Sequence, residues 1–332
     1  MSSYTKTAVC QSRNGGNGHR HNGGKEKFEP VLRTPSGKLY QADCIPFMKA
    51  MAAESVDLVF ADPPFNLGKN YGASVKDDLA DTTYLAWSHQ WLQETTRILK
   101  PGGSLFVYNL PKWNLVLGAW LSQYLRFRNW IAVDIKFSLP ISGRLYPSHY
   151  SLLYFTKGEK TARFSPPRLP IETCRHCGGE LRDYGGYKDR MNPSGVNLTD
   201  VWRDLSPVRH ARFKRRKANE LPLKMLDRVL DISTKEGDLV FDPFGGSGTT
   251  FVAAELKQRR WIGSEIGDCR PIIQRFKSLD VEREIWCAQR EKVNRLFTKE
   301  AMTLRNRNGF DTSKYRSHPE EHRLLRGDLV RT

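Results

Sequence analysis

Nothing in this sequence of 332 residues is apolar for long enough to cross a membrane, since every hydrophobic run falls short of the roughly 20 residues a bilayer helix needs. The first residues also lack the apolar core of a secretory signal. Cysteine is scarce: six in all, and only Cys174 and Cys177 share a C-x-x-C spacing. That excludes a disulfide framework and points to a reducing, cytoplasmic compartment. Acidic side chains are too few to balance the basic ones, 36 against 53, leaving a net charge of +17. Such a surplus points to a polyanionic partner, with nucleic acid first and an acidic membrane surface second. The bland alternative is a basic enzyme whose charge only aids solubility. No internal repeat is present. Residues 1–30 are dominated by "SRNGGNGHRHNGGKEK", a Gly-, Asn- and basic-rich tail with too little apolar surface to order itself.

What is present alternates between strand and helix patterns. Within residues 31–158, "GKLYQADCIPFMKAMAAESVDLVFADPPF" reads as strand, short helix and buried strand. The segment 82–103 reads as a helix with Tyr84, Trp87, Trp91, Leu92, Thr95, Ile98 and Leu99 near one face, closing on Lys100 and the Pro101-Gly102-Gly103 stop. Strands follow at 104–110, 130–139 and 151–158, with a helix from Leu115 to Leu125. Over 159–217 the texture changes to Pro, Gly, Arg and Lys with little periodicity, as in an insert. Regular patterning resumes over 218–280 with a helix, the strand ending at Asp242, a glycine turn, a helix and a further strand. Residues 281–332 read as a charged, helical, frayed tail. This alternation predicts an α/β fold with a parallel sheet.

Two strand ends carry chemistry. The run "LVFADPPF" ends in Asp62, Pro63, Pro64 and Phe65. Proline cannot donate to a sheet ladder, so the strand must stop there, with a carboxylate, two constrained carbonyls and an exposed ring at its tip. An exocyclic amine on a flat base is a poor nucleophile because its lone pair is delocalised into the ring. Two acceptors aimed at its two N–H bonds, the Asp62 carboxylate and the Pro63 carbonyl, would draw it towards tetrahedral geometry. Phe65 would stack on the base, which must leave the duplex to be reached. The second strand end is "FDPFGGSGTT", residues 241–250. It is not a Walker loop, because no Lys follows the last glycine, and it is a poor dinucleotide fingerprint, because Phe251 stands at the third glycine position. Strand, glycine turn and helix still let backbone approach a nucleotide-like ligand closely. Asp242 adds an acceptor beside the turn, and Glu265, ending the next strand, can take the two hydroxyls of a ribose.

Together these segments resemble the amino-group DNA methyltransferases that use S-adenosylmethionine. D-P-P-F at 62–65 matches their catalytic motif, and F-x-x-x-G-G-S-G-T-T resembles their cofactor loop. Asp62 precedes Asp242 by 180 residues, the permuted order of the beta group, in which target recognition lies between the motifs. The resemblance covers about residues 37–270. It implies a Rossmann-like, seven-stranded, mostly parallel methyltransferase sheet with an inserted target-recognition region. The domain then divides into a catalytic half (31–158), the insert (159–217) and a cofactor-binding half (218–280). It also implies that Phe244, Gly246, Gly248 and Thr249 line the cofactor pocket with Asp242, that Glu265 takes the ribose, and that Asp43, preceded by Ala42 in place of the usual Gly, contacts the adenine of the cofactor. "NELPLKML" looks like the segment that holds the methionine end. Methyl transfer would be direct, since nothing resembles the cysteine nucleophile used at cytosine C5; Cys44 and Cys269 read as packed thiols.

The basic cluster Arg203, Arg209, Arg212, Lys214, Arg215, Arg216 and Lys217 falls where this family reads double-stranded DNA, with Tyr184, Tyr187 and Trp202 among it for stacking or packing. Cys174-x-x-Cys177 resembles half of a zinc knuckle, but a structural zinc wants four ligands and no second pair exists. A turn of free thiols is the preferred reading, and zinc the lesser one. Asp at the first motif position leans towards N6 of adenine over N4 of cytosine, which stands as the alternative. Asn-Pro-Pro and the opposite motif order would be needed for a protein-glutamine methyltransferase. A non-catalytic DNA-binding relative would be expected to have lost one of the loops, and both are intact. A companion restriction endonuclease and a homodimer are the further partners the resemblance suggests.

Overall fold

The run Val56–Ala61 forms a strand buried on both faces. Leu58 and Phe60 enter one apolar layer, Val59 and Ala61 the other, and all four are fully buried. A central strand covered on both sides has no wet face, which is why the sequence here is continuously apolar rather than alternating. Fully burying a side chain such as Leu58 or Phe60 contributes about 1.5–3 kcal/mol of transfer free energy. The computed structural model describes residues 28–68, 77–134, 142–143, 145–169, 185–186, 195–205, 220–291 and a few positions from 303 to 309.

In chain order the strands are β1 (Pro30–Arg33), β2 (Gly37–Gln41), β3 (Val56–Ala61), β4 (Leu99–Asn109), β5 (Arg126–Asp134), β6 (His149–Thr156), β7 (Arg168–Leu169), β8 (Val196–Asn197), β9 (Val201–Trp202), β10 (Leu239–Asp242) and β11 (Arg260–Glu265). The helices are α1 (Cys44–Ala50), α2 (Asp81–Ile98), α3 (Pro111–Leu121), α4 (Leu223–Ser233), α5 (Thr249–Leu256), α6 (Arg270–Lys277) and α7 (Leu279–Glu291). The main sheet has the order β1-β2-β11-β10-β3-β4-β6-β5-β9, and β7 pairs with β8 apart from it. Strands β2, β11, β10, β3 and β4 are parallel, and β6 is antiparallel to both neighbours. The mostly parallel sheet is therefore as expected. Its seven central strands run from β2 to β5, and antiparallel β1 and two-residue β9 extend it to nine. Helices α1, α2 and α3 cover one face; α4 and α5, with residues of α6 and α7, cover the other.

Several local expectations are corrected. Pro101-Gly102-Gly103 does not separate helix from strand: α2 ends at Ile98, β4 begins at Leu99, and the three residues sit in a register slip of the β3–β4 ladder. Gly102 takes φ +79° there. The helix expected at 115–125 starts at Pro111, whose fixed φ suits the first helical turn, and ends at Leu121. Trp202 is a core residue, 1% exposed, with Nε1 donating to the Thr199 carbonyl at 2.8 Å and the Arg228 guanidinium 4.8 Å from its ring centre. Arg228 is buried too, and forks onto Asp204 at 3.1 and 2.6 Å. Burial alone would raise the Asp204 carboxyl, but hydrogen bonds and charge from Arg228 and Lys224 hold it at about 2. The edges of the expected insert thus belong to the main body: Ala162 N donates to the Gly102 carbonyl, Ser165 N to the Ile232 carbonyl, and β9 joins β5. The frayed tail does not begin at 281 either. Helix α7 is docked through Trp286 Nε1 to Asp227 (2.8 Å) and Arg290 to Asp231 (2.8 Å). No helix among the described residues is long and apolar enough to cross a membrane.

Candidate active site

Because β2, β11, β10, β3 and β4 are parallel, their carboxyl ends share one edge, and each candidate loop leaves the sheet there. Strands β3 and β10 are direct neighbours. Their following loops consequently meet: Asp62 lines one pocket together with Leu221, Asp242, Phe244, Gly245, Gly246, Ser247, Thr249 and Thr250, while Gly248 and Glu265, expected there from the sequence, lie outside its lining.

The Asp-Pro-Pro-Phe turn is held from behind. The Tyr84 hydroxyl on α2 donates to the Pro64 carbonyl at 2.8 Å and accepts from Asn109 Nδ2 at 2.9 Å. Trp113 Nε1 on α3 donates to the Phe65 carbonyl at 2.8 Å. Asp77 accepts from the amides of Asn66 (2.6 Å) and Leu67 (3.0 Å), and Asn66 pairs with Leu79 through both its side-chain atoms. The Pro63 carbonyl, just ahead of these tethered groups, receives no hydrogen bond from the described residues. Burial drives the Tyr84 hydroxyl well above its ordinary range, so it stays a donor. Tyr84→Phe leaves the Pro64 carbonyl and Asn109 amide without their partner, which costs about 1–3 kcal/mol. We expect a lower melting temperature and about a tenfold loss of kcat, with cofactor affinity unchanged when titrated directly.

The Phe65 ring is not the exposed platform expected from the sequence. It is 5% exposed and lies against Tyr108 (5.9 Å between centroids) and Tyr150 (5.5 Å). Burial first, then the charge of Asp62, pushes the Tyr108 hydroxyl upward; this places a neutral aromatic wall near the carboxylate.

The glycine loop is fixed at three points. Asp242, 3% exposed, accepts from Phe244 N at 2.9 Å and from the Thr250 hydroxyl at 2.5 Å, so its carboxylate shapes the turn. Gly248 caps α5 at φ +78°, and a Cβ there would lie 2.8 Å from Ile272 Cγ2, which leaves glycine as the residue that fits. Glu265 accepts from Gly246 N at 2.6 Å and from Gly267 N at 2.7 Å, one bond per carboxylate oxygen. Thr249 is buried, its hydroxyl donating to the Leu221 carbonyl at 3.2 Å and accepting from Arg275 Nη1 at 2.8 Å. Phe244 rests on Trp91 and Trp87 of α2, 5.2 and 5.8 Å away. Asp43 stands one strand further out, exposed, capping α1 through Ile45 N at 2.8 Å, with Ala42 N bound to the Glu265 carbonyl. It is at the same edge but not in the pocket lined by Asp62.

Burial, reinforced by Asp43, raises the Cys44 thiol, and burial, reinforced by Glu265 and Asp268, pushes Cys269 up to about 12. Neither is a thiolate nucleophile. Among the described residues no cluster of His, Cys, Asp and Glu is placed to hold a metal. Cys174, Cys177, Tyr184, Tyr187, Arg209, Arg212, Lys214, Arg215, Arg216 and Lys217 lie outside the described residues. Tyr84, Asn109, Trp113 and Arg275 escaped sequence reasoning. The apolar face of α2 flags Tyr84, but nothing local ties it to Pro64.

A family model described as DNA methylase, covering the N6 and N4 classes, matches residues 56–271. The type II methyltransferase M.BamHI of Bacillus amyloliquefaciens is 51% identical over 284 residues, covering 86% of this chain and 67% of the relative. The type II methyltransferase M.HpaI of Haemophilus parainfluenzae is 32% identical over 232 residues, covering 69% of this chain and 70% of its own. Among solved structures, the cytosine-N4-specific PvuII DNA methyltransferase superposes with a TM-score of 0.51 at 21% identity, over 72% of this chain and 84% of that one.

Proposed function

Since this chain belongs to the DNA methylase family of N6 and N4 methyltransferases, we propose that Asp62 and the Pro63 carbonyl receive the exocyclic amine of a base turned out of duplex DNA, and that the 244–250 loop with Glu265 holds S-adenosylmethionine. The observation that carries this is the shared pocket: the Asp62 carboxylate and the loop that begins at Asp242, 180 residues later, line one cavity. The loop fits such a ligand. Glycines give close backbone approach, and each Glu265 oxygen, already taking one amide, keeps acceptor capacity for a ribose hydroxyl.

When bound, S-adenosylmethionine supplies a methyl group carried on positively charged sulfur. Asp62 and the Pro63 carbonyl draw the two amine hydrogens towards themselves, which frees the nitrogen lone pair for the carbon it attacks. Methylation would leave the nitrogen with a proton to give up, and Asp62 would take it. Tethers from Tyr84 and Trp113 hold the turn in place before substrate arrives, so the reaction needs little reorganisation there. Of the Phe65, Tyr108 and Tyr150 rings, the half-buried Tyr150 is the one left for the base to meet.

The amine is the level at which the site is built, since adenine N6 and cytosine N4 both offer two in-plane N–H bonds. Asp62 at the head of the motif is the feature that favours adenine. Both relatives are named type II, which suggests a restriction endonuclease acting on the same DNA target in the same cytoplasm. Purified protein is expected to move labelled methyl from S-adenosylmethionine to unmethylated duplex DNA. Digestion of the product should release N6-methyladenine; N4-methylcytosine would reassign the base and leave the site reading intact, while unlabelled DNA would sink it.

A further inference from the structure

We propose that Arg275 and Glu282 position the cofactor loop from behind, which makes α6 and α7 part of the methyl-donor site. This rests on the reading of loop 244–250 as the holder of S-adenosylmethionine. Both residues lie beyond the span 56–271 that the family model matches, and neither lines the pocket.

Arg275 is 5% exposed and Glu282 2%. The guanidinium meets the carboxylate through Nε at 2.9 Å and Nη2 at 3.1 Å. Its remaining nitrogen, Nη1, donates to the Ser247 carbonyl at 3.1 Å and the Thr249 hydroxyl at 2.8 Å. Ser247 and Thr249 line the pocket on their other side. One planar group therefore ties α7 to the far end of the glycine turn.

The turn needs such a tie. Gly245, Gly246 and Gly248 offer no side chains for packing to grip, so hydrogen bonds must set its shape. Asp242 fixes the start and Glu265 the middle. Arg275 fixes the end. A purely stabilising role explains less, because a buried ion pair contributes little net stability by itself, and an ion pair alone would not aim a third donor at the loop.

The test compares Arg275→Lys, Glu282→Gln and the control Trp286→Phe in the full chain. Lysine keeps the charge but cannot fork onto Glu282 while also holding the Ser247 carbonyl. Trp286→Phe loosens α7 through its bond to Asp227 without touching Arg275. Affinity for S-adenosylmethionine is read by calorimetry, KM and kcat by methyl transfer, and stability by thermal melting. Arg275→Lys should bind S-adenosylmethionine about tenfold more weakly, with kcat at saturation and KM for DNA within about twofold of the unaltered protein. Glu282→Gln should move the same way by less. Trp286→Phe should lower the melting temperature with affinity for S-adenosylmethionine unchanged. Wild-type affinity in Arg275→Lys overturns the proposal, as does equal weakening by Trp286→Phe at a matched loss of melting temperature. Should Arg275→Lys not fold, Glu282→Gln with unaltered affinity overturns it alone. Failure of the unaltered protein to bind S-adenosylmethionine would instead remove the functional reading beneath it.

Discussion

Replacing Asp62 with alanine is expected to reduce methyl transfer by at least about 10²–10³-fold in kcat, the scale on which a preorganised polar group at a reacting centre acts. Three features set that size. The carboxylate sits at the carboxyl end of a strand that is fully buried over Leu58–Ala61, so neither the carboxylate's position nor its neighbours can drift to compensate. The carbonyls of Pro64 and Phe65 are committed to Tyr84 and Trp113, which leaves Pro63 as the remaining backbone acceptor beside it. The nearby Tyr108 hydroxyl stays protonated and cannot replace a base. Binding of S-adenosylmethionine should survive, since the glycine loop is shaped by Asp242 and Glu265 and not by Asp62. Asp62→Asn keeps an acceptor but cannot take the proton, and should fall between the two. Calorimetry paired with single-turnover methyl transfer separates the effects. Full activity in Asp62→Ala would end the catalytic assignment.

The largest expected effect on stability lies away from the site, at Lys257. Its side chain is 3% exposed, and its ammonium lies 2.7 Å from Asp227 and 2.6 Å from Asp231. Asp227 also takes Trp286 Nε1, and Asp231 takes Arg290, both from α7. Burial would raise the Asp227 carboxyl, and the charges of Lys257 and Arg290 bring it down. Lys257→Ala leaves two largely buried carboxylates facing one another with Arg290 as the cation still beside them. Breaking a buried ion pair from one side costs roughly 3–5 kcal/mol, about 10–15 °C of melting temperature for a domain of this size. Lys257→Met keeps most of the volume and should lose nearly as much, which assigns the cost to charge rather than packing. A melting temperature for Lys257→Met within 2–3 °C of the unaltered protein, about 1 kcal/mol, would mean that the network contributes nothing net.

Both chemistry-bearing loops were legible because each is a local event. A strand cannot continue through Pro63-Pro64, and a turn such as Gly245–Gly248 can be recognised without knowing what surrounds it. The parallel sheet followed from alternation for the same reason. What stayed hidden depends on partners distant in the chain. Phe65 looks like an exposed ring until Tyr108 and Tyr150 are brought beside it from β4 and β6. Trp202 reads as a stacking or packing residue in a basic segment, and packing is settled only once β9 pairs with β5 and Arg228 covers it. Glu265 was legible as an acceptor at a strand end, but not its two amide partners, which exist only once the loop has folded over it. The charge pattern of α7 suggested a loose helix, because Glu282, Trp286 and Arg290 find their partners on α6 and α4.

The adjacency of β3 and β10 has a consequence for synthesis. On the ribosome, β3 can pair with β4 early, but its other edge waits for a strand about 180 residues downstream. At typical elongation rates of roughly 5–20 residues per second, that edge stays open for about 10–35 s. During that interval Val56, Leu58, Val59 and Phe60 form an unsatisfied, strongly apolar border, the kind that recruits other chains. The contact that creates the pocket also closes a loop of about 180 residues, and such long-range pairings form slowly. Competence to modify DNA is thus among the last properties the nascent chain acquires, and the interval before it is when the chain is most prone to aggregate.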